Sequence, residues 1–484
     1  MTSKPLWQYG AVALADKIRN REVSVTEVVG SALERMRQSN SAVNAVTLPL
    51  EAEALKQAEE AEQLLNSGGI LGALHGVPVT IKENVDQKGL PNPNGIAAFE
   101  KNIATEDSPV VRNMRKAGAI IIGRTNTPEF SYRWCTDNPL RGRTLNPWNK
   151  TITPGGSSGG AASSIALGIG AIAHGNDLGG SLRYPAYACG VSTIKPGLGR
   201  VAAYNPSATE ERPPAIQLMS VQGPIAREIC DVRLGLAMMA AEDTRDPWWV
   251  PAPLRGPEAA GPLKVAVTYG PGDLDCDAEV VAAIDYAADT LSNAGYVIER
   301  VDPPLLSETA DLWRKILGSD NAEMMMASVR EHGSDAVIKL AEIFSSFNAP
   351  SDLNGYMRLI ADRTRVWRDW AQFMETHPLV LAPVSQLPPF KQGADEESEE
   401  KSRQLMMDQG MLYLVNVLGL PAASVPTGVN DTVPMGVQII GRRFREDQCL
   451  DAAQVIENHT GVVAHQLWSR LVVGDSDNQR NNEP

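Results

Sequence analysis

Two serines set among glycines dominate one segment of the 484-residue chain and constrain how it can fold. Ser157 lies within residues 155–160, which read GGSSGG, and Ser181 ends residues 177–181, which read DLGGS. Glycine lets a chain turn with no Cβ in the way, so that successive N–H groups can point into one concavity. The small residues 161–173 between the serines predict a buried helix, because this run is too short to span a bilayer. The segment is suited to presenting a nucleophilic hydroxyl beside N–H donors.

Helix and strand patterns alternate along the rest of the chain, which predicts an α/β fold. Ser24 and Glu27 form a capping box, and residues 51–65 predict a further helix. Strand patterns occur at residues 77–82, 119–122, 263–267, 296–301, 379–382, 422–425 and 436–440. Helices separate most of these strands, so we expect a largely parallel or mixed sheet with helices on both faces.

Three motifs in this order resemble the signature of the amidase signature enzymes. They are GGSSGG at residues 155–160, DLGGSLR at residues 177–183 and the pair Lys195-Pro196. Upstream, residues 76–84 read GVPVTIKEN and look like the lysine strand of that family, with Glu83 in place of the usual aspartate. Further similar segments lie at residues 125–130, 146–148, 223–227 and 436–441.

The resemblance covers roughly residues 10–460 and implies the amidase signature fold, a large twisted mixed β-sheet covered on both faces by α-helices. It implies a single domain over residues 1–484, with the signature core at about residues 76–227. The polar residues 474–484 predict a disordered tail.

The same resemblance implies a catalytic role for three residues. Ser181 would attack the substrate carbonyl, and Ser157 would carry the proton to Lys82 through a cis Gly156–Ser157 peptide. The pKa of a free lysine is about 10.4, so at neutral pH it carries a proton. Lys82 must lose this proton to act as a base. Burial can lower an amine's pKa by about 3–5 units, and hydroxyl partners do not favour the charged form as a carboxylate would.

The oxyanion hole implied by the resemblance consists of main-chain N–H groups. Asp177 and Arg183 would brace this loop as an ion pair. The expected donors are the N–H groups of Leu178, Gly179, Gly180 and Ser181.

Residues 131–135 are predicted to run beside the nucleophile. Ser131, Tyr132 and Trp134 are the expected substrate-binding residues, and Arg133 could shape the same pocket. Packing in the core is an alternative for Trp134. Residues 324–326 are three methionines that could line an adaptable apolar pocket, although helix packing explains at least one of them.

A different nucleophile fits part of the same segment. Residues 156–160 also match GxSxG, which would make Ser158 the nucleophile of an α/β-hydrolase with His332, His377 or His459 as its base. With Ser158 as nucleophile, the DLGGS loop and the lysine strand would have no role in catalysis. No GxxxxGK[ST] phosphate loop is present, and His174 is expected to pack inside the signature helix.

Composition excludes several classes of partner. The net charge of −14 and the pI near 5.1 argue against nucleic acids and anionic membranes, which require a basic surface. Five scattered cysteines without a CxxC pair indicate reduced thiols and a cytoplasmic location. The six histidines show no metal-binding spacing, so neither a metal nor a cofactor is expected.

The sequence thus predicts a stand-alone amidase that cleaves amide-type C–N bonds through a Ser181 acyl-enzyme. Its partner would be a small-molecule amide or carbamate, and a homodimer is compatible with the sequence. Two alternatives remain, the glutaminase subunit of a tRNA-dependent amidotransferase and a catalytically silent binding homologue. Thr193 and residues 197–201 depart from the family pattern in a way that argues against the amidotransferase alternative.

Overall fold

A mixed sheet of eleven strands forms the centre of the computed structural model, which describes residues 4–272, 275–347 and 352–471. The strands are β1 (Val46–Pro49), β2 (Pro78–Lys82), β3 (Ile120–Thr125), β4 (Ile172–Asp177), β5 (Ser192–Lys195), β6 (Val221–Ala226), β7 (Lys264–Val267), β8 (Val297–Arg300), β9 (Leu379–Pro383), β10 (Ala422–Asn430) and β11 (Val433–Gly441). Their order across the sheet is β1-β3-β2-β4-β6-β5-β10-β11-β9-β7-β8. The predicted tail at residues 474–484 lies outside the described residues.

Parallel and antiparallel pairs alternate in blocks along this sheet. Strand β2 runs parallel to β3 and β4, and β7 runs parallel to β8 and β9. The strands between these blocks pair antiparallel, including the long β10–β11 ladder. The prediction of a mixed α/β sheet is confirmed.

Helices cover the sheet. They are α1 (Ala11–Arg19), α2 (Val25–Ser39), α3 (Glu51–Asn66), α4 (Pro109–Lys116), α5 (Gly159–Leu167), α6 (Arg183–Cys189), α7 (Pro214–Met219), α8 (Ile229–Met239), α9 (Ala278–Asn293), α10 (Leu306–Asp320), α11 (Met326–His332), α12 (Asp335–Phe347), α13 (Leu353–Thr376), α14 (Glu399–Asp408), α15 (Gly410–Leu418) and α16 (Glu446–Thr460). The predicted capping box opens α2, where Ser24 Oγ accepts from Glu27 N and the Glu27 carboxylate accepts from Ser24 N.

Strand β9 illustrates why both faces of the sheet are apolar. Successive side chains of a strand point to opposite faces. Leu379 and Leu381 pack into the larger hydrophobic core, whereas Val380 and Ala382 pack with α10, α13 and α15 into a second core on the other face. A strand buried on both faces therefore reads as a continuous apolar run rather than an alternating one.

The signature helix is shorter than predicted. Helix α5 ends at Leu167, because Gly168 adopts a left-handed conformation with φ of 85° and closes the helix. The chain then enters β4, so His174 lies on a strand rather than in the helix. There it is buried, with its Nε2 2.8 Å from Gln222 Oε1.

Candidate active site

Lys82 is the last residue of β2, and its side chain is fully buried. Its Nζ lies 2.7 Å from Ser157 Oγ, 3.1 Å from Ser158 Oγ and 2.7 Å from Asn176 Oδ1, within hydrogen-bond distance of all three. Asn176 comes from β4, the parallel neighbour of β2. The sheet therefore holds the amine beside two hydroxyl groups and one amide.

Burial lowers the pKa of Lys82 well below the ordinary lysine value. The charge of Asp177 acts in the opposite direction but is the smaller effect. All three hydrogen-bond partners of the amine are neutral, so none of them supplies the attraction that would hold the proton. Burial and neutral partners thus shift the equilibrium of Lys82 toward the neutral amine that a base requires.

Ser157 precedes α5 and follows a cis Gly156–Ser157 peptide, as the resemblance implied. The backbone of the neighbouring segment approaches closely at this point. A Cβ on Gly156 would lie 2.2 Å from Arg133 O, so no larger residue fits without moving the chain. This contact joins the Ser157 turn to residues 131–135.

Ser181 lines a cavity of about 690 Å³. Ser157 and Asn176 line the same cavity, as do Leu178 and Gly179 of the glycine loop. The structure therefore brings both predicted serines to one space, and Ser157 connects that space to Lys82 through the hydrogen bond described above.

Asp177 and Arg183 form a fully buried ion pair, with 3.1 Å between Arg183 Nη2 and Asp177 Oδ1. Burial would raise the pKa of Asp177, but Arg183, together with Lys195 and the Gly180 N–H, outweighs this effect and lowers it to about 2. The Asp177 carboxylate accepts from Gly180 N (2.8 Å) and Leu182 N (3.1 Å). The ion pair therefore fixes the loop that carries Ser181.

One of the four predicted oxyanion donors is not free. Gly180 N–H is bound by Asp177, so the prediction of a free donor at this residue is wrong. The N–H groups of Leu178, Gly179 and Ser181 donate to no other group in the described part of the chain. Three donors therefore remain for an oxyanion.

Aromatic side chains form part of the cavity wall next to the glycine loop. The ring of Trp313 from α10 stacks on Tyr413 from α15, with centroids 4.0 Å apart and planes 8° apart. Trp134 lies 6.0 Å from Tyr413, and Phe344 from α12 meets Trp313 edge-on. All four residues line the cavity, so Trp134 is a pocket residue that also contacts the core.

Ser131 and Tyr132, the other predicted pocket residues, also line the cavity. Ser131 Oγ donates to Asn94 Oδ1 (2.6 Å) and accepts from Asn84 Nδ2 (2.9 Å). Burial raises the pKa of the Tyr132 hydroxyl, which keeps this group neutral.

Arg133 lines the cavity, but its guanidinium is engaged by protein groups. It donates to both carboxylate oxygens of Asp395, at 2.9 and 3.0 Å, and it also pairs with Glu396. Desolvation would lower the pKa of Arg133, but the hydrogen bond and charge of Asp395, together with the charges of Cys135 and Glu396, outweigh this effect and raise it. Arg133 therefore anchors the 394–396 turn to the cavity wall.

The three methionines 324–326 divide among different surroundings. Met325 lines the cavity, Met324 is about half exposed, and Met326 packs into a small separate core. A π-helical turn at Asn321–Met325 gives them these different directions.

The geometry does not support the alternative in which Ser158 is the nucleophile and a histidine is its base. None of His332, His377 and His459 lines the cavity. His377 Nε2 instead contacts Glu299 Oε2 at 2.8 Å, and Ser158 accepts from Lys82.

Three residues of the site were not predicted from the sequence: Asn176, Trp313 and Tyr413. Asn176 directly precedes the DLGGS motif, so its position beside the motif was the available signal. Trp313 and Tyr413 carry no local signal, because they reach the site only through the packing of α10 against α15.

A mixed sheet that presents a buried lysine, two glycine-flanked serines and one aromatic cavity defines a hydrolase of the amidase signature class. The family model described as "Amidase" matches residues 27–450. The chain belongs to this family, and it is an amidase that hydrolyses amide C–N bonds.

The relatives fit this assignment. The chain is 48% identical to the indoleacetamide hydrolase of Bradyrhizobium diazoefficiens over 469 residues, which are 96% of this chain and 89% of the relative. It is 31% identical to the acylamidase of Rhodococcus erythropolis, over 94% of this chain and 96% of that one. A bacterial aryl acylamidase of the amidase signature family superposes with a TM-score of 0.83 and 26% identity, covering 96% and 98% of the two chains.

Two further features are absent from the same described residues. Within residues 4–272, 275–347 and 352–471, no helix is long and apolar enough to cross a membrane. The same residues contain no group of three or more His, Cys, Asp or Glu side chains that could hold a metal ion.

Proposed function

We propose that this amidase hydrolyses small, neutral primary amides whose acyl group carries an aromatic ring, with Ser181 as nucleophile and Ser157 and Lys82 as its proton relay. The observation that carries the proposal is the buried amine of Lys82, 2.7 Å from Ser157 Oγ, behind a cavity lined by Ser181. The cavity's aromatic wall and the 48% identity to an indoleacetamide hydrolase support an aromatic acetamide as substrate.

The contacts of Lys82 suggest how its lone pair is directed. A neutral amine has two hydrogens and one lone pair. Asn176 Oδ1 can only accept, and Ser158 can accept from the amine while its own hydroxyl donates to Asn176 O (3.4 Å). These two partners take both hydrogens, and the lone pair is left for the hydroxyl proton of Ser157.

Acylation then proceeds as Ser181 Oγ forms a bond to the substrate carbonyl carbon. Its proton passes to Ser157 Oγ while the Ser157 proton passes to Lys82 Nζ. The carbonyl oxygen becomes an oxyanion that the free N–H groups of Leu178, Gly179 and Ser181 stabilise.

Collapse of this intermediate breaks the C–N bond. Lys82 returns the proton through Ser157 to the departing nitrogen, and the amine or ammonia leaves. Water then attacks the acyl-enzyme with the same relay, releasing the carboxylic acid and restoring the Ser181 hydroxyl.

The buried charged pair in the cavity wall does not offer glutamine a binding site. Arg133 and Asp395 lie in the cavity lining but bind each other, so neither is available for the charged groups of an amino acid. A neutral aromatic acyl group instead gains contact with Trp134, Trp313 and Tyr413. Carbamate hydrolysis, a homodimer, a cytoplasmic location and a single-domain chain stay predictions.

A fluorophosphonate probe and four substrates test the proposal. Indole-3-acetamide, phenylacetamide, acetamide and L-glutamine are compared on the wild type and on Ser181→Ala, Ser158→Ala and Ser164→Ala. Ser164 is a matched control, because among the described residues its hydroxyl donates only to Ala161 O within its own helix.

We expect Ser181→Ala to lose labelling and turnover, and Ser164→Ala to keep both. The aromatic amides should be turned over with kcat/KM at least about tenfold above that of acetamide, since burying one ring contributes more than about 1.4 kcal/mol. Loss of labelling in Ser158→Ala with Ser181→Ala still labelled would overturn the nucleophile. A preference for L-glutamine would overturn the substrate class.

A further inference from the structure

The two indole N–H groups of the aromatic wall bind the glycine loop that carries the oxyanion donors. Trp313 Nε1 donates to Leu178 O at 2.9 Å, and Trp134 Nε1 donates to Gly179 O at 3.4 Å. The carbonyl groups of two successive loop residues are thus held by side chains from outside the loop.

A planar trans peptide points its C=O and its N–H in opposite directions. Binding of Leu178 O by Trp313 therefore sets the direction of Gly179 N–H, which donates to no other described group. Binding of Gly179 O by Trp134 fixes the orientation of the next peptide group. The N–H of that peptide belongs to Gly180 and donates to Asp177. One indole orients a free donor, and the other fixes the peptide that follows it.

Close packing allows Gly179 little freedom to turn away. A Cβ on this residue would lie 2.7 Å from Trp313 Cζ2 and 3.4 Å from Tyr413 Cε1. At the start of the loop, Asp177 O accepts from Asn416 Nδ2 at 3.1 Å. The loop is therefore fixed at Asp177 as well as at Gly179, where the Trp313 ring lies directly against it.

We propose that Trp313, assisted by Trp134, is a positioning residue that aligns the Gly179 N–H with the oxyanion and links this alignment to substrate binding. This inference rests on the proposed function, because it requires Ser181 to be the nucleophile. Trp313 is buried with only 4% of its surface exposed, yet its ring lines the cavity. An aromatic acyl group bound in the cavity would contact the Trp313 ring. The same residue would therefore bind the substrate and orient the oxyanion donor.

The test removes the indole N–H and keeps an aromatic ring. Trp313→Phe is compared with Trp370→Phe, a matched control in the same hydrophobic core. Trp370 is fully buried, and its Nε1 has no hydrogen-bond partner among the described residues. Both variants lose one buried indole, so a general effect of packing would appear in both.

For Trp313→Phe we expect kcat for phenylacetamide to fall by about tenfold or more with KM changed less than about threefold, because a misaligned donor acts on the transition state. A trifluoromethyl ketone analogue, which forms a tetrahedral oxyanion on a serine, should lose affinity by a similar factor. Phenylacetate, which cannot form one, should bind as before. Trp370→Phe should keep kcat within about twofold.

A Trp313→Phe variant with kcat unchanged, or with only KM raised, would overturn the inference. Should Trp313→Phe fail to fold, Trp134→Phe takes the same measurements with the same expected direction. Failure of the proposed function is distinguishable, because it would appear as retained turnover or labelling in Ser181→Ala.

Discussion

The amine of Lys82 lies 2.7 Å from the side-chain oxygen of Asn176, so an uncharged amide from the neighbouring strand holds the group that we propose as the base. A carboxylate at the same place would stabilise the charged amine and raise the pKa of Lys82. For Asn176→Asp we therefore expect the acidic limb of the kcat/KM profile to move to higher pH by about one unit or more, with kcat/KM on that limb falling about tenfold at a given pH.

Asn176→Ser is the neutral control for this measurement. Its hydroxyl can accept from Lys82 without adding charge, so the acidic limb should stay where it is in the wild type. An unshifted profile in Asn176→Asp would contradict the neutral lysine.

Burial of Lys82 also affects stability. Its pKa in the folded protein lies well below the unfolded value of about 10.4. Between these two pKa values the unfolded chain binds a proton that the folded protein lacks, so the free energy of unfolding rises with pH across this interval. We expect Lys82→Met to lose activity and to gain about 0.5–2 kcal/mol of stability at pH 7.

Urea unfolding at pH 7 and pH 10 measures this gain, which should shrink at pH 10 as the unfolded lysine loses its proton. Ser181→Ala should show no such pH-dependent gain, because it keeps the buried amine. A Lys82→Met protein less stable than the wild type at pH 7 would count against the prediction.

Arg133 and Asp395 form a buried pair with side chains only 6% and 4% exposed. Removing one partner leaves the other charge without compensation. Arg133→Met should therefore lower the free energy of unfolding by about 3–5 kcal/mol.

Arg143→Met offers a control for the arginine deletion. Arg143 is 49% exposed and pairs with Asp137 at the surface, so its loss should cost less than about 1 kcal/mol. Equal losses of unfolding free energy in the two variants would show that the buried pair stabilises the protein no more than a surface pair does.

Phe344 tests the aromatic wall away from the oxyanion loop. It packs edge-on against Trp313 and Tyr132 and lines the cavity. Phe344→Ala should lower kcat/KM for phenylacetamide by about tenfold or more, since an aromatic contact and buried area are lost.

Acetamide serves as the internal control for Phe344→Ala, because it has no ring to lose contact. Its kcat/KM should change by less than about threefold in the same preparation. A parallel loss for both amides would indicate damage to the proton relay rather than to the substrate pocket.

Local motifs made Lys82, Ser157 and Ser181 predictable, because each lies in a short segment whose residue types and order are distinctive. The limits of the signature helix were not predictable in the same way. Residues 161–173 are uniformly small and apolar, and the left-handed Gly168 that ends α5 gives no periodic signal. Strand β4 is buried except at Asn176, so its pattern could not be distinguished from that of a buried helix.

The aromatic wall could not be predicted from the sequence, for a different reason. Trp313 and Tyr413 lie on separate helices, and their stacking depends on the tertiary packing of α10 and α15. Which oxyanion donors are free could not be predicted from the sequence either. Nothing in the sequence shows that the Gly180 N–H donates to Asp177.

The close contacts of Gly156 and Gly179 have a consequence for how such an enzyme can acquire new substrates. The turns that hold the two serines have almost no room for side chains, so changes there would damage the chemistry first. The helices α10, α12 and α15 contribute the wall and carry no serine or lysine of the relay. A combinatorial library confined to these helices could therefore redirect specificity while leaving the proton relay intact, provided that Trp313, which belongs to both parts, is kept.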